Sequence, residues 1–402
     1  MSSPDSVAVE QSGTVSSGFG DDGRPRALWS QPQIGLHGYL TPQAEWGDVE
    51  RGNPLPYTLP PDVRREIGLE RETWQLEVMA DPASNSKVDA PLSKGLGTAL
   101  DFDGLLKLGR EHGVRYLKGV TCNNLGEPLG MGLWEGVPLR VVIWMAQPVA
   151  NVRRVLYHGY HNEDPLQLFQ STLPIWRVLE EPPGELPVLL AYKLNGEYIS
   201  GKRGGPVRMV VPEAYGFKSV KWLQQVLLTN EPGANDTYRL GNNDLDSPMK
   251  TFARFLQVPA NAPAGRAIPI SGIAQVGVSG LAKVQYWVHR SEAPLPADDP
   301  HFLGGDWRDA EILPPPQDWS GALPAGVQPD LRLDSNRPAP QSWPLRYTVV
   351  HWAAKLCGLT PGAYDVRCRS IDQNGIAQPM PRPFAKGGRA EIQTQPLQIV
   401  DW

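Results

Sequence analysis

About a fifth of this chain is glycine or proline, 41 of each in 402 residues. Proline removes a backbone donor and glycine weakens helices, so a helical bundle is disfavoured. Short strands joined by many turns are the expected solution. The length exceeds what one ordinary core supports and predicts two domains. Apolar residues make up 41% of the chain and charged residues 20%, which excludes disorder throughout. The formal net charge of −5 leaves no global basic surface for nucleic acid, and no local basic patch replaces it. The sequence has no apolar run of about 18 residues or more, so no membrane span is expected. The polar N-terminus lacks an apolar signal core, and a proline separates Arg24 from Arg26, so they form no twin-arginine signal. The chain as written reads as cytoplasmic, and as periplasmic if a leader lies upstream.

Residues 1–30, rich in Ser, Gly and Asp, read as a flexible tail. Residues 31–70 are dense in turn formers and read as a wrapping segment without a core of its own. A compact region follows. Residues 73–80 alternate like a strand, and 101–113 predict a short helix capped by Asp101 or Asp103 and stopped at Gly113. Residues 114–122 are a strand that delivers Cys122 at its end. A helix is expected from Pro138, then strands over 152–160 and 187–199, the latter with an Asn195–Gly196 turn. Two more strands flank a glycine-containing loop within 207–228. This irregular alternation makes 31–242 an α+β unit. From residue 243 to 402, β-branched and alternating runs separated by turn signals predict a β-sandwich of immunoglobulin-like type. The Pro-rich stretch 310–330 reads as an exposed loop.

Common catalytic signatures are missing: no phosphate-binding P-loop, no GxGxxG after a strand, no GxSxG elbow and no HExxH. His158 and His161, with Glu163 and Asp164 nearby, suggest a metal cluster. Three apart on a strand-to-loop segment, the two imidazoles are not expected on one face, so a pocket histidine is the better reading. The three cysteines are too few and too odd for a disulfide framework, and Cys357 and Cys368 read as small residues packed in strands. Cys122 differs, because it sits among polar loop residues rather than in an apolar run. A thiolate there is a soft ligand suited to a redox metal. Arg203, Arg208, Lys218 and Lys221 follow at close spacing between Gly-Gly-Pro and an apolar strand. Arginine forks and lysine charges on a concave edge can hold a phosphate-bearing cofactor.

The segment "LLAYKLNGEYISGKRGGPVRMVVPEAYGFKSVKWLQQV" closely resembles the molybdopterin-binding segment of the sulfite oxidase family, and "TCNNLGEPLG…LWEGVPL" resembles its cysteine loop. The resemblance covers roughly 45–402 and is strongest between 115 and 230. It implies a mixed α+β sulfite oxidase-like domain followed by a dimerisation sandwich, with Mo-molybdopterin as cofactor. Cys122 falls on the molybdenum-ligating cysteine. Arg208, Ser219, Val220 and Lys221 match the set that binds the pterin and its phosphate, Arg203 stands where the family usually has a pterin-contacting histidine, and Lys218 joins these cations in anchoring the pterin. His161 lies near an acidic pterin contact of the family. Arg51 and Tyr238 match polar groups at the metal, and Trp134 matches a pocket wall. The implied reaction is a two-electron oxygen-atom transfer, sulfite to sulfate, with electrons leaving to an external acceptor of cytochrome c type. The implied assembly is a homodimer, and the implied substrate is a small oxyanion or sulfur compound. Glu127 departs from the pattern, because a carboxylate stands where a cation would help hold sulfite. That favours a relative acting on another substrate, such as an S-oxide reductase. A metal-free binding protein is the third reading.

Overall fold

The Asp101 carboxylate accepts a hydrogen bond from the Gly104 N–H at 2.8 Å and starts the helix Phe102–His112. The helix ends at Gly113, whose N–H returns to the Gly109 carbonyl. The computed structural model describes residues 38–161, 168–182, 184–233, 236–237, 241–295, 297–315 and 343–401. The expected tail over 1–30 and most of the Pro-rich loop lie outside them.

Two five-stranded sheets and a two-stranded pair, Lys87–Val88 with Pro148–Ala150, build the first unit. One orders Leu100–Asp101, Gln75–Ala80, Leu223–Thr229, Arg154–Gly159 and Gln170–Pro174, with a single parallel pair between Gln75–Ala80 and Leu223–Thr229. The other runs Glu197–Tyr198, Leu189–Leu194, Pro128–Pro138, Val114–Thr121, with Arg208–Val210 also paired to Leu189–Leu194. The expected helix after Pro138 spans Leu139–Met145 and buries Leu139, Val142 and Ile143. Asn195 and Gly196 both hold positive φ, 55° and 80°, as a tight two-residue hairpin turn requires. The Asn195 side chain accepts from the Leu133 N–H and donates to the Thr41 carbonyl. It thereby pins the wrapping segment to the sheet. Tyr39, Leu40 and Trp46 of that segment are buried against residues of this sheet, as a chain without its own core must be.

The helical share is smaller than an α+β layer implies. Among the described residues the longest α-helix has 11 residues and the other three have 5 to 7. High glycine and proline content breaks helices, and most of the core is sheet.

The second unit is one eight-stranded path. Phe252–Gln257, Ile268–Gln275 and Val349–Leu356 form one half, and Lys283–Arg290, Gly362–Ile371, Gln393–Val400 and Asn261–Pro263 the other. Arg308–Ile312 pairs with both halves and joins them. Both halves contribute to one core, centred on Trp352, Val350, Val284 and Val366, each at 0% exposure. Cys357 is exposed and Cys368 buried, and both are free thiols.

Candidate active site

Strand Val114–Thr121 ends where its apolar pattern stops, and the next residue, the half-buried Cys122, faces a cleft of about 840 Å³. The Cys122 thiol touches the Asn124 side chain. Val120, two residues back on the same strand face, lines the cleft too.

Three of the expected cations meet in this cleft. Arg203 leaves the short 3₁₀ turn Gly201–Arg203 and is 2% exposed. Its Nη1 donates to the Trp46 and Gly47 carbonyls at 3.0 and 2.9 Å. Its Nε and Nη2 are buried without a hydrogen-bond acceptor. Arg208 donates through Nε to the Ser219 carbonyl and through Nη1 to the Arg203 carbonyl. Burial, and then the like charge of Arg203, hold its pKa down at about 10. Lys221 is held down at about 8, first by burial and then by Arg208, although Asp48 accepts from its Nζ at 2.6 Å. The other Asp48 oxygen lies 3.5 Å from Arg203 Nη2 without forming a hydrogen bond. One carboxylate against three buried cations leaves the cluster electrostatically short of negative charge. Gly204, at φ 99°, lets the Lys221 side chain pass where a Cβ would lie 2.6 Å from its Cγ.

Ser219 and Val220 line the same cleft, and the Ser219 hydroxyl accepts from the Val211 N–H. Arg51 lines it with its guanidinium 4.2 Å above the Phe169 ring. His161 lines it as well. The His158 and His161 rings lie 6.0 Å apart, against the expectation that they would diverge, because the chain leaves its strand after Gly159. His158 is engaged with Gln225 at 2.7 Å, and no group of three or more metal ligands exists among the described residues.

Two expected site residues lie elsewhere. Lys218 is 1% exposed and turned into the protein, where its Nζ donates to the Thr172 carbonyl at 2.8 Å and faces Asp236 at 3.4 Å. It follows Phe217 in the tight turn Gly216–Lys218, where successive side chains diverge by about 120°. Phe217 takes the cleft side. Trp134 is fully buried one layer behind the wall, edge-on to Trp46, and its Nε1 donates to the Lys118 carbonyl. Trp46 is the tryptophan that faces the cleft there. Tyr238 lies outside the described residues. Glu127 does not line the cleft; it is exposed and pairs with Arg254 of the second unit at 2.8 Å. The sequence reading missed Trp46, Asp48, Tyr160, Phe169, Phe217 and Trp222. Phe217 and Trp222 sit inside a motif it had singled out, and Tyr160 lies between His158 and His161. Asp48 and Phe169 reach the cleft by tertiary folding and carry no local signal.

The oxidoreductase molybdopterin binding domain matches residues 110–238. A nitrate reductase [NADPH] of Beauveria bassiana is 31% identical over 122 residues, 30% of this chain and 13% of the relative. That of Neurospora crassa is 26% identical over 219 residues, 50% of this chain and 21% of the relative. The chain thus spans 13% and 21% of the length of these two relatives. The crystal structure of the sulfane dehydrogenase SoxCD from Paracoccus pantotrophus shares the fold, with a TM-score of 0.55 and 18% identity over 81% of this chain and 76% of that one.

The cleft fits a phosphorylated pterin carrying a soft-ligated metal. It has a thiol on one wall and two buried Arg203 N–H groups that lack an acceptor.

Proposed function

We propose that Cys122 ligates the molybdenum of an oxygen-atom-transfer enzyme acting on sulfite, on the premise that residues 110–238, which match the oxidoreductase molybdopterin binding domain, hold Mo-molybdopterin. The observation that carries this reading is the meeting of the Cys122 thiol with Arg203, Arg208 and Lys221 in one cleft. When bound, the cofactor supplies a metal able to take up two electrons and exchange an oxygen atom. Arg203, Arg208, Lys221 and Ser219 hold its phosphate, and the unsatisfied Arg203 N–H groups find their acceptors there. Arg51 and His161, which line the cleft, are assigned to the substrate. Arg51 draws in the anion, and its stacking on Phe169 fixes the guanidinium plane. Sulfite and water give sulfate, two protons and two electrons, and the electrons pass to an external acceptor of cytochrome c type. Glu127 poses no obstacle, since Arg254 holds it outside the cleft. We assign the cofactor unit to 31–242 and the β unit to 243–402, with the latter as the homodimer surface.

Phe169 and Phe217 favour a second reading. They place aromatic walls near Arg51, suited to an S-oxide with an apolar flank. Metal analysis and stopped-flow reduction separate the two. The sulfite reading expects equimolar molybdenum, reduction of the metal by sulfite, and loss of both in Cys122→Ser. Equimolar metal that ignores sulfite, but is reoxidised by an S-oxide after chemical reduction, would replace it with the second.

A further inference from the structure

Lys118 is 0% exposed and has no carboxylate acceptor among the described residues. Its Nζ donates to the carbonyls of Gly119 at 3.1 Å, Pro212 at 2.9 Å and Ala214 at 3.2 Å, and lies 3.2 Å from the Met249 sulfur. An ammonium carries three N–H donors and no acceptor, so three carbonyls match its charged form. Two of them belong to the segment that runs on into the cleft wall. Ala214 precedes the turn Gly216–Lys218, and a Cβ on Gly216 would lie 2.8 Å from Val120 Cγ1. Phe217, Ser219 and Lys221 then line the cleft. On the opposing strand, alternation puts Lys118 and Val120 on the face from which Cys122 continues. The thiol wall and the 212–221 wall therefore face each other, with Lys118 bonded across them at the closed end.

We propose that the Lys118 ammonium is a positioning clamp, which sets the spacing between the Cys122 wall and the 212–221 wall and so the grip of the cleft on its cofactor. The part concerning grip rests on the assignment of the cofactor to this cleft. A fully buried amine facing three carbonyls also makes the clamp sensitive to pH, since only the ammonium can donate to all three. Burial holds the Lys118 pKa down at about 7. The charged groups around it are Glu213, whose carboxylate is held by Arg177 at 2.7 Å through both oxygens, and Arg208. Tyr215 on the same segment and Lys250 beside Met249 are further titratable neighbours, and Lys250 Nζ turns away to the Gly388 carbonyl. Above about pH 7 the amine loses one donor and sets a lone pair against a carbonyl. Global stability moves the other way. Between that pH and the ordinary lysine pKa the unfolded chain binds a proton that the folded chain does not, so this group makes stability rise with pH. A loss of grip on raising the pH is therefore not a sign of unfolding.

The test compares molybdenum release from wild-type holoprotein and Lys118→Met during dialysis at pH 6 and pH 9. Hydrogen bonds from a charged donor support an expected release on the order of tenfold faster in the variant at pH 6. The two rates should converge at pH 9, where wild-type Lys118 is neutral as well. Lys221 titrates in both proteins and cancels. Equal rates at pH 6, or a ratio that does not change with pH, overturn the proposal. Should Lys118→Met not fold, hydrogen exchange over 212–219 in wild-type apoprotein decides. After correction for intrinsic exchange, protection should fall between pH 6 and pH 9, and constant protection overturns the clamp. Wild-type protein without molybdenum would remove the cofactor reading, and the exchange measurement would still judge the clamp.

Discussion

Arg203 and Arg208 in the cleft are buried as deeply as Arg367 and Arg369 on the β unit, at 2%, 6%, 4% and 9% exposure. Both pairs leave guanidinium N–H groups without a hydrogen-bond acceptor. Their surroundings differ. Arg367 lies 5.2 Å from the Trp287 ring and 4.8 Å from that of Phe302, and Arg369 lies 4.2 Å from the Trp307 ring. Ring faces carry negative potential and satisfy a cation without a hydrogen bond. Arg208 also lies 5.5 Å from the Trp134 ring, but it and Arg203 face open volume shared with a thiol. A buried arginine with unbonded N–H groups is thus not a ligand site by itself. The volume in front of it decides.

Methionine at each position should separate the two roles. Arg208→Met is expected to lower retained molybdenum and pterin on the order of tenfold or more, since it removes a charged donor from the anion site. Elemental analysis and pterin fluorescence read this directly. Arg367→Met is expected to leave cofactor content unchanged and to lower unfolding stability by about 1 kcal/mol, through lost stacking and packing. Denaturant unfolding measures that. Cofactor loss in Arg367→Met would erase the contrast.

A pH titration sharpens the contrast further. Lys221 is charged below about pH 8 and neutral above it. The affinity of apoprotein for inorganic phosphate should therefore fall between pH 7.5 and 9.5, by less than about tenfold, because two arginines remain charged. Calorimetry on wild type and Lys221→Met checks this, and the decline should be smaller in the variant. The smallest effect is expected at Glu127. An exposed pair with Arg254 is worth at most about 1 kcal/mol, so Glu127→Gln should leave the Michaelis constant for sulfite unchanged. A clear fall in that constant would return Glu127 to the substrate path.

The Asp101 cap, the Asn195–Gly196 turn and the strand that carries Cys122 were legible because each is specified within a few residues. Arg203, Arg208 and Lys221 were legible as a motif. Lys218 belonged to the same motif and faces the other way, because one residue in a tight turn reverses a side chain. Trp134 and Trp46 could not be told apart as wall and backing, since that depends on how the wrapping segment crosses the sheet. Asp48 meets Lys221 across 173 residues, a pairing that no local pattern encodes.

The cysteine loop is stitched to the β unit on both sides of the thiol. Thr121 bonds to Gln275, the Asn123 side chain reaches Ser247 and the Lys386 carbonyl, and Arg254 holds the Gly126 carbonyl and Glu127. A chain shortened to end before Arg254 would keep every residue of the cleft wall and present its sulfur on a slack tether. The β unit therefore works as the jig in which the reactive loop is set. Exchanging it for a sandwich from another protein would demand a matched Gln275, Arg254 and Ser247 as well as a fitting shape.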